Sequence, residues 1–167
     1  MITEDHREVM AFLSQPSSHG GTPVEKIETH SAAVFLSGTR AWKLKRAVRY
    51  DYLDFSTLER CKEMCEAEMK INRRTAPGLY LRVVPVTREH DGTLALDGVG
   101  LPIDWVLEMV RFDQEALFDR LAASGRLDIQ LMRSLASEIA QFHSIAERRL
   151  DHGGRAGMAW VIDGNAA

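Results

Sequence analysis

The sequence predicts an α+β fold in which an antiparallel sheet carries one long helix and is followed by further α-helices. Three observations predict it. Strand-like runs crowd between residues 24 and 47, a helical period opened by a capping signature begins near residue 56, and apolar residues at helical spacing dominate after residue 113. With 167 residues, 45% of them hydrophobic and 27% charged, the chain is long enough for one domain with its own core.

From the N-terminus, Thr3 to Leu13 has the pattern of a short amphipathic helix, which "SQPSSHGGTP" breaks with proline, serine and glycine. "VEKIETH" and "AAVFLSG" form two strand-like runs joined by a tight turn near Ser31, and "GTR" leads into the strand "AWKLKRA", so the three read as an antiparallel meander. Ser56 followed by Glu59 has the form of a capping box, and Pro77-Gly78 ends the helical period, which predicts a helix over Thr57 to Arg74. "LRVVPVT" and "GTLALDG" read as strands around the turn "REHDG", and "PIDWVLEMV" as a largely apolar one. "DQEALFDRLAAS" and "DIQLMRSLASEIAQFHSIAERR" are helical, the second with Leu131, Leu135, Ile139 and Phe142 in one stripe. The tail "DHGGRAGMAWVIDGNAA" has no clear period.

Charge and composition exclude several classes of function. Against 24 acidic residues stand 21 basic ones, a net charge of −3, which favours neither nucleic acid nor an anionic membrane surface. The basic run "KLKRAVRY", with Tyr50 available for stacking, is followed at once by Asp51 and Asp54. The opening "MITEDHREVM" lacks a signal-peptide pattern and no run is long enough to span a bilayer, so the expected location is the cytoplasm. Cys61 and Cys65, four apart, suit neighbouring positions in a helix core rather than a disulfide framework or a zinc site.

Two features point to chemistry. In a strand over residues 41–47, Ala41, Lys43 and Lys45 share one face while Trp42 and Leu44 take the other, an arrangement that serves either a solvated edge or an anion. On the long helix, Glu68 falls within a stripe of Cys61, Met64, Cys65, Ile71 and Asn72. A carboxylate there either reaches solvent at the margin of the stripe or takes a lysine of the neighbouring strand as its counter-ion.

The order of strands, Lys-bearing strand, Glu-bearing helix and apolar last strand resembles the amino-terminal lobe of the protein-kinase-like superfamily, and Ala41-Trp42-Lys43 is similar to its Ala-x-Lys strand signature. More closely, "THSAAVFLSGTRAWKLKRAVRYDYLDFSTLERCKEMCEAEMKINRR", with "APGLYLRVVPVT" and "DWVLEMVRFD" after it, resembles aminoglycoside-phosphotransferase-like proteins of bacteria, over about residues 22–165. In that group this domain is commonly followed by a P-loop kinase-like ATPase domain. The resemblance implies an N-terminal helix and loop over residues 1–22, a five-stranded antiparallel kinase-like lobe over 23–111, and the opening helices of an incomplete second lobe over 112–167. It further implies ATP as the ligand. Lys43 or Lys45 would contact the α- and β-phosphates and pair with Glu68, Lys43 being favoured by the alanine two positions before it. The turn containing Ser31 would cover the phosphates, and backbone groups around Glu108, Met109 and Val110 would hydrogen-bond the adenine. "AQFH", ending at His143, resembles the stretch before the family's catalytic loop.

That loop, a His-Gly-Asp segment followed by an asparagine and a further magnesium-binding aspartate, has no counterpart here. In Asp151-His152-Gly153-Gly154 a glycine stands where the aspartate belongs, and Val161-Ile162-Asp163-Gly164 follows His152 too closely to be the metal motif. The expectation is therefore a chain with no catalytic residue and no magnesium site of its own, a truncated product or fragment that is inactive alone. Two readings compete: the nucleotide-binding half of a small-molecule phosphotransferase, and a non-catalytic binding module that keeps the fold. On either, Leu131, Leu135, Ile139 and Phe142, widened by Ile129, Met132, Ala136 and His143, make a face broad enough to drive self-association or docking on a second lobe or partner subunit.

Overall fold

The computed structural model describes residues 6–29, 31–46, 49–50, 53–55, 57–151 and 153–166. The chain divides into two compact units, Met1–Ala116 and Leu117–Ala167.

Helix α1 (Arg7–Leu13) is too short to be stable alone, and it holds its shape by burying Val9 and Leu13 against the sheet, in one core with Ala33, Phe35, Leu44, Val84, Val86 and Val106. Charge fixes its orientation. Arg88 donates to both carboxylate oxygens of Glu8 at 2.9 and 2.6 Å, and His6 Nδ1 lies 3.2 Å from the buried Asp104 carboxylate. A 3-10 turn (Pro16–His19) ends at Gly20, whose φ of +64° suits glycine, and the His19 ring stacks on Trp42 with centroids 4.2 Å apart.

Strands β1 (Val24–Glu28), β2 (Ala32–Ser37) and β3 (Arg40–Lys45) form the expected antiparallel meander, with Val34 opposite Lys43 and Phe35 opposite Trp42. A small two-stranded sheet of β4 (Arg49–Tyr50) and β5 (Leu53–Asp54), which the sequence did not suggest, precedes helix α2 (Leu58–Asn72). Strands β6 (Tyr80–Arg88), β7 (Leu94–Leu96) and β8 (Leu101–Val110) complete the main sheet in the order β1-β2-β3-β8-β6-β7. The sheet therefore has six strands, not five, with the three-residue β7 forming one edge. The α+β class stands. The last strand in sequence lies near the middle, between β3 and β6, with α1 on one face and α2 packed on β6 and β8 from the other.

In the second unit, the expected helix over 113–124 is interrupted. Gln114–Ala116 is a 3-10 turn belonging to the first unit, and Leu117 is extended at the start of α3 (Phe118–Ala123). The Asp128 carboxylate accepts the Leu131 N–H at 2.7 Å and caps α4 (Ile129–Ile145). The tail forms a helix, α5 (Gly154–Ala166). Leu131, Leu135 and Phe142 are half-buried, Ile129, Met132 and Ile139 are exposed, and no described residue of this unit is fully buried. Among the described residues, no helix is long and apolar enough to cross a membrane.

Candidate functional site

Strand alternation and two different coverings bring the site together. On β3, Leu44 and Trp42 enter the core beneath α1, which turns Ala41, Lys43 and Lys45 to the face where α2 lies. Ser56, the expected cap of α2, lies outside the described residues, and the Thr57 hydroxyl accepts the Arg60 N–H at 3.3 Å. Cys61 and Cys65 are buried one turn apart, and Glu68 follows on the same face. The apolar stripe is narrower than the sequence indicated, because Met64 and Ile71 are 38% and 61% exposed.

Glu68 takes both lysines rather than one. Its Oε1 accepts from Lys43 Nζ at 2.8 Å and its Oε2 from Lys45 Nζ at 2.6 Å. The three side chains differ in exposure: 16% for Glu68, 30% for Lys43 and 9% for Lys45. Lys45 Nζ also sits 4.7 Å from the centre of the Phe55 ring, which favours a cation there. Burial pushes the Glu68 carboxyl up, but hydrogen bonds from Lys43 and Lys45 and their charges outweigh it and hold the group below the ordinary carboxylate range. Burial raises the neighbouring Cys65 thiol to about 12. It raises the Tyr80 phenol too, in the same sense as the nearby Glu68 charge. Near neutrality the cluster therefore holds two ammonium groups, one carboxylate and two neutral acids, a net charge of one positive.

That charge adjoins, through Lys43, an apolar cavity of about 320 Å³ walled by Ile27, Val34, Leu36, Ala41 and Met109. Lys43 and Ser31 line it, as do Val110 and Tyr80, and Phe112 and Gln114 complete the rim. Of the three β8 residues singled out from the sequence, Met109 and Val110 line the cavity and Glu108 does not. The Glu108 side chain shares the Trp42 face, away from the cavity, where its carboxylate accepts from Arg82 Nε at 2.6 Å and lies 3.4 Å from Arg40 Nε. The Val110 N–H already donates to the Leu79 carbonyl at 2.9 Å. Ile27, Val34, Leu36 and Tyr80 were missed. Their signal was the pairing of Val34 with Lys43 and of Leu36 with Ala41, which is visible only once register is known. Among the described residues no group of three or more His, Cys, Asp or Glu side chains could hold a metal ion.

The paired carboxylate makes stability depend on pH. A carboxyl held below its unfolded value stabilises the fold fully above that value and loses the contribution as pH falls through the folded one. The stability gap between the wild type and Glu68→Gln is expected to narrow between about pH 5 and about pH 3 in urea titrations. A gap constant across that window would show that the charge of Glu68 contributes nothing.

The known proteins similar in sequence carry no stated activity. Uncharacterised proteins of Mycobacterium bovis and of two Mycobacterium tuberculosis strains are 30% identical to this chain over 121 residues, 72% of its length. No family model and no solved structure matches it. The matched segment is 22% of the length of each mycobacterial relative, so the chain spans less than a quarter of the curated proteins it is similar to.

Proposed function

We propose that the first unit is the nucleotide-binding lobe of a small-molecule kinase of the aminoglycoside-phosphotransferase-like type. The observation that carries the proposal is the Lys43–Glu68 ion pair beside an apolar cavity that Lys43 lines. An apolar slot accepts the face of a purine, and a net positive cluster beside it accepts the attached phosphates. The base would meet the end of β8, where Met109 and Val110 line the cavity.

Calorimetric titration with ATP, adenosine and tripolyphosphate tests this. Saturable ATP binding is expected, weakened at least about tenfold by Lys43→Met, with adenosine alone binding more weakly than ATP. Steady phosphate release is not expected, since the glycine at position 154 offers no carboxylate to orient a nucleophile. The absence of any ATP binding would overturn the proposal, whereas turnover abolished by Lys43→Met would overturn the expectation that the catalytic carboxylate is missing. A second reading, a non-catalytic binding module, is favoured by the second unit, where Ile129, Ile145, Met158, Trp160 and Ile162 are all exposed.

A further inference from the structure

Helix α4 carries two rows of side chains next to each other, and they differ in cover. Leu131, Leu135 and Phe142 are half-buried within the second unit. Beside them Ile129, Met132, Ala136, Ile139 and His143 all stand exposed, Ile129, Met132 and Ile139 at 69%, 42% and 46%. Their spacing of three, four, three and four residues is the heptad alternation that sets side chains along one seam between paired helices. We propose that this seam is a docking surface for a second copy of the chain, whose α4 lies antiparallel to the first about a two-fold axis at Ala136. The seam belongs to the second unit, so its fate is separate from that of the nucleotide reading.

The order of side chains along the seam points to that occupant, because it complements itself on reversal. An axis at position 136 sets Ala136 against its own copy, Met132 beside the second copy's Ile139, and Ile129 beside the second copy's His143. The smallest side chain then falls at the centre, where it lets the two helices approach closely, and the larger ones flank it on both sides. Charge agrees. Reversal brings Arg133 opposite Ala140, and Glu138 lies away from the seam, so no like charges meet. A parallel pair, by contrast, would set His143 against His143 at one end of an otherwise apolar seam. From Ile129 to His143 the seam runs about 21 Å. It is smaller than the about 800 Å² that each partner of a standard interface buries, so a reversible dimer is expected rather than a permanent one.

Sedimentation velocity of the full chain over a concentration series, combined with single cysteines placed on α4, tests this. The wild type should pass reversibly from monomer to dimer as concentration rises. Met132→Glu/Ile139→Glu should stay monomeric with unchanged helical circular dichroism, since both positions are exposed. Cys61 and Cys65 are buried, so disulfide formation under mild oxidation reports the introduced thiol. Ala136→Cys should link to itself at least about tenfold faster than Ser134→Cys, which is exposed on the opposite side of the helix. Ile129→Cys should link to His143→Cys in a mixture and not to itself. If the double variant does not fold, the cysteine rates decide. A monomer at every concentration overturns the inference and leaves the seam to a different protein, and a dimer that survives Met132→Glu/Ile139→Glu overturns it too. Ile129→Cys linking to itself as fast as Ala136→Cys would reveal a parallel pair, and growth beyond the dimer an open assembly. Either result overturns the two-fold arrangement.

Discussion

Glu68→Leu is expected to destabilise the first unit by about 3 kcal/mol, because removing one member of a buried ion pair leaves the other charge without compensation. The effect comes mainly from Lys45. Its side chain is 9% exposed and cannot reach water, whereas Lys43, at 30%, can relax outward. The double variant Glu68→Leu/Lys45→Met should therefore recover most of the loss, since a well-packed apolar pair is often as stable as the ions it replaces. Urea denaturation with the slope held common to all variants measures both effects. A Glu68→Leu protein within about 0.5 kcal/mol of the wild type would mean that Lys45 finds another partner or enough water.

Leu13→Ala carries the other large effect, also about 3 kcal/mol, as expected for a leucine truncated in a core that cannot close around the void. Leu13 is fully buried and packs with Phe35, Leu44 and Val106, so the loss falls on the sheet and not on the seven-residue helix alone. Cooperative unfolding at a lower urea midpoint is the expected signature. A loss below about 1 kcal/mol would show that the sheet is stable without α1, and the boundary drawn after residue 22 from the sequence would then hold energetically.

Local patterns were legible and pairings were not. The α2 helix followed from its period and stop signal, and its observed limits, Leu58 to Asn72, lie close to those expected. The shared face of Ala41, Lys43 and Lys45 followed from alternation alone. What alternation cannot supply is the partner opposite each residue, so nothing in "DWVLEMV" showed that Glu108 would sit across from Trp42 and turn from the cavity while Met109 turned into it. The helix α5 escaped notice because Gly154, Gly157 and Gly164 lower its propensity and blur its apolar period.

The insertion of β8 between β3 and β6 has a consequence for synthesis on the ribosome. Lys43 pairs across the sheet with Leu107, and Val84 with Val106, so neither half of the main sheet finds its neighbour until the chain has been made through Val110. Until then β3 and β6 each present an open edge of backbone donors and acceptors, the part of a sheet most prone to pair with another chain. The two lysines of the cluster lie on β3, beside that open edge, and the cavity wall needs Met109. The site therefore completes last. A chain interrupted before residue 101 is expected to emerge as two unjoined halves with adhesive edges, and to be cleared or to aggregate rather than to bind.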